Sequence, residues 1–302
     1  MAIDTEQRAP PLLSIIILTL DEEVNLPVCL DSLRGLDAEV FVVDSGSSDR
    51  TTAIAREFGA RVVEHDFENQ ARQVNWALDN LPLRSPWTLR LDADERLTRQ
   101  LAAELRTALP RAPGSATGFL VKRRVYFWGR WIKHGGYYPT WLLRVWRTGK
   151  GRCEDVWMDE HVVVADGDVR RLQGDIIDEN RKGLAFWIDK HNRFSDREVK
   201  AILTAAAPIG PGRIGGQAAR KRFLKQNVYR RAPRIVRAIL YWSYRYFLLL
   251  GFLDGKEGFV FHFLQGFWYR VIVDAKLYEV ERSTGSAKPE ALSDGRFRAE
   301  RS

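Results

Sequence analysis

The sequence predicts an α/β protein whose doubly wound parallel sheet turns mixed in its second half and is followed by apolar helices. Three observations carry that expectation. Residues 12–19 (LLSIIILT) are a continuous apolar run, as expected of a strand covered on both faces. Short β-rich runs then alternate with helical patterns as far as residue 109, the order produced by right-handed crossovers between parallel strands. Beyond residue 116 the strand-like runs follow one another between Gly and aromatic residues.

The elements follow in order. Leu26, Leu30 and Leu33 repeat at helical spacing over 25–33, with Pro27 in the first turn and Gly35 as the stop. Residues 38–44 (AEVFVVD) are the second strand. Ser47, Ser48 or Asp49 caps a helix that runs through Phe58 and closes at Gly59, before a strand over 61–64. A helix over 69–81, a strand over 87–91 and a helix over 98–109, capped by Thr98, complete this part. Strands are then expected at 118–125, 140–147, 162–164 and 169–172, and a helix from Leu184 with Phe186, Trp187, Lys190 and Phe194 near one face. Residues 207–216 read as a linker, and 235–253 and 258–273 as two apolar helical segments separated by Asp254-Gly255-Lys256-Glu257. The expected units are an extension over 1–11, the α/β domain over 12–206, a basic and apolar helical region over 207–281, and a disordered tail over 282–302.

Composition narrows the classes. The 302 residues are 45% hydrophobic and 28% charged, enough for a sizeable core and neither fibrous nor disordered. Cys29 and Cys153 lack any disulfide or zinc-like spacing, which points to a reducing compartment, and the first residues carry no secretory signal. The net charge of +8 is localised: residues 199–253 hold eleven Lys and Arg and no acid, leaving the rest of the chain at a net −3. A polyanion is the natural neighbour of such a segment, either an anionic membrane surface or a nucleic acid, and no nucleic-acid motif accompanies it.

In an open α/β sheet, ligands bind beyond the carboxyl ends of the strands. Three such loops are acidic or polar here: Thr19-Leu20-Asp21-Glu22-Glu23, Asp44-Ser45-Gly46-Ser47-Ser48-Asp49 and Asp92-Ala93-Asp94-Glu95. Each alone could be an ordinary turn. Alternate residues at a strand end project to one side, so Asp92 and Asp94 repel each other unless a cation lies between them. Mg²⁺ or Mn²⁺, with oxygen ligands and positions left for phosphate oxygens, meets that need.

The segments SIIILTLDEEVNL, VVDSGSSDRT and LRLDADE resemble the family 2 glycosyltransferases of GT-A fold. The likeness continues through HGGYYPTWLLRVWR, MDEHVVV, DKHNRFSDREV and GFLDGKEGFVFHFLQGFWYR, similar to the bacterial lipopolysaccharide-core and exopolysaccharide branch, and covers about residues 12–278. The resemblance implies a Rossmann-like nucleotide-sugar domain. Thr19 and Asp44 then lie at the nucleoside, Asp21 in the nucleotide-sugar site, Asp92 at the ribose or diphosphate, and Asp94, with Asp92, at the metal. Asp21 stands where the family commonly has Asn, and Ser45 where many members have a second Asp. Glu160 inherits the role of general base, with Asp159 in reserve, unless either acid simply pairs with Arg144 or Arg147. Arg144, placed like the Arg of the family's RLF-type motif, is a candidate for the diphosphate.

Residues 122–147 hold eight aromatics and seven cations, suited to stacking on sugars and gripping phosphate at an acceptor site or in a lid over the donor. Arg237 and Arg245 argue against a spanning helix over 235–253 and favour an interfacial hairpin, with Tyr241, Trp242, Tyr244, Tyr246, Trp268 and Tyr269 at headgroup depth; a soluble helical subdomain is the alternative. The expected protein is a hexosyltransferase, inverting and metal-dependent, peripheral on the cytoplasmic face of the bacterial inner membrane. It would move sugar from a nucleotide diphosphate sugar to a lipid-linked glycan. A polyprenyl-phosphate sugar synthase and a non-catalytic nucleotide-sugar-binding scaffold are the alternatives.

Overall fold

Strand β1 (Leu13–Thr19) is buried along nearly its whole length, which is why its sequence runs apolar instead of alternating. The computed structural model describes residues 9–155, 160–204 and 232–283. In it β1 lies between two parallel neighbours, β2 (Ala38–Asp44) and β4 (Trp87–Asp92), and β3 (Arg61–Glu64) extends the parallel set beyond β2. The crossovers are α1 (Leu26–Asp31), α2 (Thr51–Phe58) and α3 (Gln70–Asn80). Gly59, at φ 94°, ends α2 in the left-handed geometry that glycine adopts without strain. The start of α2 differs from expectation. Its cap position is Arg50, which makes no side-chain cap bond; Asp49 accepts the Thr51 N–H at 2.9 Å from one residue further out, and Ser47 and Ser48 bond to Asp44 and Asp21.

After β4 come β5 (Glu95–Leu97), α4 (Arg99–Ala108), β6 (Ala116–Phe127), β7 (Arg130–Ile132), β8 (Thr140–Arg147), β9 (Gly151–Cys153), β10 (Val162–Val164) and β11 (Asp168–Asp178). Thr98 caps α4 by accepting the Leu101 N–H at 3.2 Å. Among the described residues the large sheet has nine strands in the order β3-β2-β1-β4-β8-β6-β11-β5, with β7 paired to β6, and β9 and β10 form a separate pair. β8 runs antiparallel to both β4 and β6, so the sheet is mixed as expected. Two features escape the sequence pattern. The three-residue strands β5, β7 and β9 are too short to show a period, and the second half of β11 is hidden by Gln173, Gly174 and two acids.

The core alternates with the pleat. Ile15, Ile17, Leu89, Leu91 and Val145 face α1 and α4, while Ile16, Phe41 and Val43 face α3. Burying such side chains is the main stabilising term, at roughly 1.5–3 kcal/mol each.

α5 (Gly183–Leu203) leads toward the C-terminal helices α6 (Val236–Ser243), α7 (Gly255–Phe263) and α8 (Tyr269–Ser283). π-helical turns at Tyr244–Leu248 and Leu264–Trp268 follow α6 and α7. Val199 of α5 packs with Tyr269, Val273 and Leu277 of α8, and Phe261 packs on Phe127 and Ile132. The helices on either side of residues 206 and 207 therefore share cores with each other and with the sheet. The expected linker over 207–216 and the tail beyond Ser283 lie outside the described residues.

Arg237, 7% exposed, forms a buried ion pair with Asp274 of α8. Arg245 likewise lies 3.8 Å from the Tyr137 ring centroid and donates to the Gly135 carbonyl at 2.6 Å. Tyr269 does not sit at a surface: it is 4% exposed and donates its hydroxyl to Glu198 at 2.7 Å. No helix among the described residues is long and apolar enough to cross a membrane.

Candidate active site

The register of β1 and β2 sets Thr19 beside Asp44 at the carboxyl end of the sheet. Thr19 donates its hydroxyl to Asp44 Oδ1 at 2.7 Å, and Ser47 does the same at 2.6 Å. The other oxygen, Oδ2, accepts the N–H groups of Gly46 at 3.1 Å and Ser47 at 2.8 Å. Asp44 is 1% exposed and shapes the turn from within. Asp21, exposed and at φ 52°, accepts the Ser48 N–H at 2.7 Å and donates its own N–H to Ser47 Oγ at 2.8 Å. The loops after β1 and β2 are thereby tied together as one rim. Half-buried Ser45 accepts from Gln73 Nε2 at 3.0 Å.

Leu18 of β1 is in register with Asp92, which brings the third acidic loop to the same edge. Asp92 Oδ1 accepts from Arg90 at 3.2 Å and from Gln70 at 3.3 Å, and Oδ2 accepts from Arg144 at 3.2 Å. Burial alone would raise its carboxyl, but the two guanidiniums outweigh burial and hold it well below the usual carboxylate range. Arg144 also donates to Glu95 at 2.6 Å and is 6% exposed, so it joins the two acids beneath the strand end. Burial pushes Glu95 up to about 7 even with that partner.

Asp94 receives its partners from far along the chain. Its Oδ2 accepts from Asn180 at 3.1 Å and from Lys190 of α5 at 3.3 Å, and its backbone carbonyl accepts the Glu179 N–H at 3.0 Å. Burial opposes the charge of Asp94, but Lys190 prevails and lowers the carboxyl below its ordinary value. Asp94 in turn holds Lys190 protonated well beyond the ordinary lysine range. Asp178, close enough for its charge to act on this group, is pushed up to about 6 by burial despite Arg123 at 3.3 Å.

Glu160 enters from the segment before β10, with its side chain 16% exposed and 3.7 Å from Arg90. It faces Arg90, while Arg147 lies 4.3 Å from the Trp87 ring centroid on a different element. Asp159 lies outside the described residues. Thus Asp92, Asp94, Arg144 and Glu160 converge around the end of β4, and Thr19, Asp21 and Asp44 form the adjoining rim. Sequence reasoning missed Arg90, whose signal was a lone cation inside the apolar strand WTLRLD, and the counter-ion role of Lys190, which had none.

The donor set can be tested against the divalent ion the fold implies. Asp94 Oδ1 accepts no hydrogen bond from the described residues, so one hard oxygen is left uncommitted by the contacts at Oδ2. No group of three or more His, Cys, Asp or Glu among the described residues forms a metal cage. A site with one or two carboxylates fits Mg²⁺ or Mn²⁺ shared with phosphate, not a structural ion.

Residues 14–155 match the family model described as Glycosyl transferase family 2. The lipopolysaccharide core biosynthesis glycosyltransferase LpsC of Rhizobium meliloti (strain 1021) is 29% identical over 283 residues, covering 88% of this chain and 92% of that protein. An uncharacterised glycosyltransferase of Rickettsia conorii is 36% identical over 93 residues, 31% of this chain and 32% of that one. Among solved structures, the mannosyltransferase PcManGT of Pyrobaculum calidifontis, in complex with GDP-Man and Mn²⁺, shares the fold. Its TM-score is 0.50 at 15% identity, over 89% of this chain and 87% of that one. Every rim residue and both acids of the β4 end fall inside residues 14–155, the segment that matches glycosyl transferase family 2, and the mixed sheet is of GT-A type.

Proposed function

We propose that the protein is an inverting, metal-dependent hexosyltransferase that moves a sugar from a nucleotide diphosphate sugar to a hydroxyl of a lipid-linked glycan in lipopolysaccharide-core or related cell-envelope synthesis. The observation that carries this reading is the state of Asp94. It is a strand-end carboxylate held anionic by Lys190, with one oxygen uncommitted, beside an Asp92 already neutralised by two arginines. The similarity to LpsC over nearly the full length of both chains supports the glycan acceptor.

On this reading Thr19, Asp21 and Asp44 shape the nucleoside end of the site. Mg²⁺ or Mn²⁺ held by Asp94, with Asp92 behind it, would supply positive charge to the diphosphate leaving group. Glu160 takes the acceptor hydroxyl proton as that oxygen bonds to the anomeric carbon and the carbon–phosphate-oxygen bond breaks on the opposite side, which inverts the centre. Arg90 orients Glu160 and Asp92 together. The role of Asp159 as reserve base rests on its position beside Glu160 alone.

Peripheral attachment to the cytoplasmic face of the membrane belongs to the same proposal. Leu240, Phe247 and Leu248 are 60%, 53% and 74% exposed, and Leu250, Phe252, Leu253 and Phe259 are exposed beside them. A water-facing apolar ridge of this kind, in a chain with eleven cations over 199–253, suits an anionic bilayer surface. The test is calorimetric titration with common nucleotide sugars, with and without Mn²⁺. Metal-dependent binding that Asp94→Ala abolishes is expected, and metal-independent transfer overturns the site assignment.

A further inference from the structure

We propose that a cationic, aromatic-lined patch on the sheet beside the candidate base binds an acidic saccharide, a sugar chain carrying phosphate or carboxylate groups, as the acceptor. The acceptor role rests on the glycosyltransferase reading above. On β6, Lys122 and Arg124 project from the same face. The register places Lys122 beside Trp141 of β8 and Asp175 of β11. Lys122 Nζ lies 5.7 Å from the Trp141 ring centroid, and the Arg171 guanidinium lies 4.9 Å from it. Arg124 stacks 4.6 Å from the Trp131 centroid, with Lys133 at 5.6 Å. Both rings are half-buried beneath these cations, which they hold in place so that the outward N–H groups can grip anionic oxygens at the margin of a sugar chain.

The charge balance indicates the ligand's sign. Asp175, 1% exposed, accepts from Arg124 at 2.6 Å and from the Tyr138 hydroxyl at 3.0 Å, with Lys122 at 3.8 Å, and buried Asp254 accepts the Lys133 N–H at 3.3 Å and is answered by His134. Asp175 offsets one of the two inner cations, Lys122 and Arg124. Lys133 and Arg171 are exposed and take part in no ion pair among the described residues, so the rim keeps uncompensated positive charge. Arg124 Nε and Trp131 Nε1 are also buried without a hydrogen-bond partner, an arrangement that costs stability. Location indicates the use. Trp141 packs in the same apolar cluster as Val162 and Val164 of β10, the strand that begins two residues after Glu160. The patch and the candidate base therefore share one face of the sheet.

The experiment uses the full chain labelled with 5-fluorotryptophan, with the Trp131 and Trp141 resonances assigned through Trp131→Phe and Trp141→Phe. The probes are trigalacturonate and mannopentaose 6-phosphate, against neutral maltotriose and mannopentaose and against inorganic phosphate. The acidic saccharides are expected to shift both resonances, with affinity falling as salt rises. Arg171→Gln and Lys133→Gln, exposed and harmless to the fold, should each raise the dissociation constant on the order of tenfold. Equal shifts from the neutral sugars, or from inorganic phosphate alone, overturn the proposal. So does the absence of any shift in protein that still binds its donor. Protein that binds no nucleotide sugar at all sinks the enzyme reading, and the acceptor role with it.

Discussion

Glu160 lies 3.7 Å from Arg90, the same guanidinium that donates to Asp92 at 3.2 Å. One buried cation thus spaces the candidate base from the strand-end acid Asp92. Glu160→Gln keeps the shape and most of the polar contact but cannot take a proton. Steady-state kinetics should show kcat falling at least about a hundredfold, with the donor KM changed by no more than roughly threefold. Equal damage to donor binding would reassign Glu160 to structure.

Lys190 and Asp94 form the second pair. Because the folded carboxyl of Asp94 is lowered below 3.8, the pair stabilises the protein above that pH and loses its contribution as pH falls through the lowered value. Lys190→Met should therefore cost about 2 kcal/mol at neutral pH, discounted from the 3–5 of a fully enclosed pair because the lysine is partly exposed. The deficit in thermal melting should shrink below pH 4, and Lys190→Arg should restore most of it.

Glu95 acts in the opposite sense. Burial pushes it up from 4.5 to about 7, so the fold favours its protonated form and stability declines as pH climbs through that window. Asp178, pushed up to about 6, adds to the decline, while His191, lowered to about 4 by burial, works against it between pH 4 and 6.5. The comparison must therefore be with the parent chain. Glu95→Gln, which cannot ionise, should melt with a smaller fall between pH 5 and 7.5 than the parent does.

The apolar ridge can be tested apart from chemistry. Phe247→Ser with Leu248→Ser removes two side chains that are 53% and 74% exposed, so folding should be unaffected. Flotation with vesicles containing anionic lipid should drop several-fold relative to the parent. Unchanged recovery would mean that the ridge meets something other than a bilayer.

Gly135 marks where the aromatic part of the sheet meets α7. Its φ is 65°, and a Cβ there would stand 2.1 Å from His262 Cε1, inside a joint where Asp254 accepts from His134 at 2.6 Å and from His262 at 3.4 Å. Gly135→Ala combines backbone strain with overpacking and should destabilise by about 1–3 kcal/mol in denaturant unfolding. Gly129→Ala, which also has positive φ but meets nothing within 4 Å, isolates the strain alone.

How far the site was legible varies residue by residue. Thr19, Asp44 and Asp92 could be placed at one sheet edge because strand period and strand ends are local properties, and the observed registers align them. Arg90 was not found, since a buried cation inside an apolar strand looks like noise until its carboxylates are brought to it. Tyr269 was misplaced for the converse reason: an aromatic in an apolar helix has the same pattern whether it meets lipid or, as here, Glu198 of another helix.

The sequence by itself determined the parallel strands, their alternation with helices and the three acidic loops that follow them, because a continuous apolar run between helical patterns records a strand covered on both faces. Tertiary structure alone decided which cation answers which acid. Lys190 reaches Asp94 across 96 residues, and Arg144 reaches Asp92 across 52. Periodicity states that a side chain turns inward, but the identity of the group waiting there depends on packing between elements far apart in the chain. Those pairings, in turn, set the charge that the site can offer a ligand.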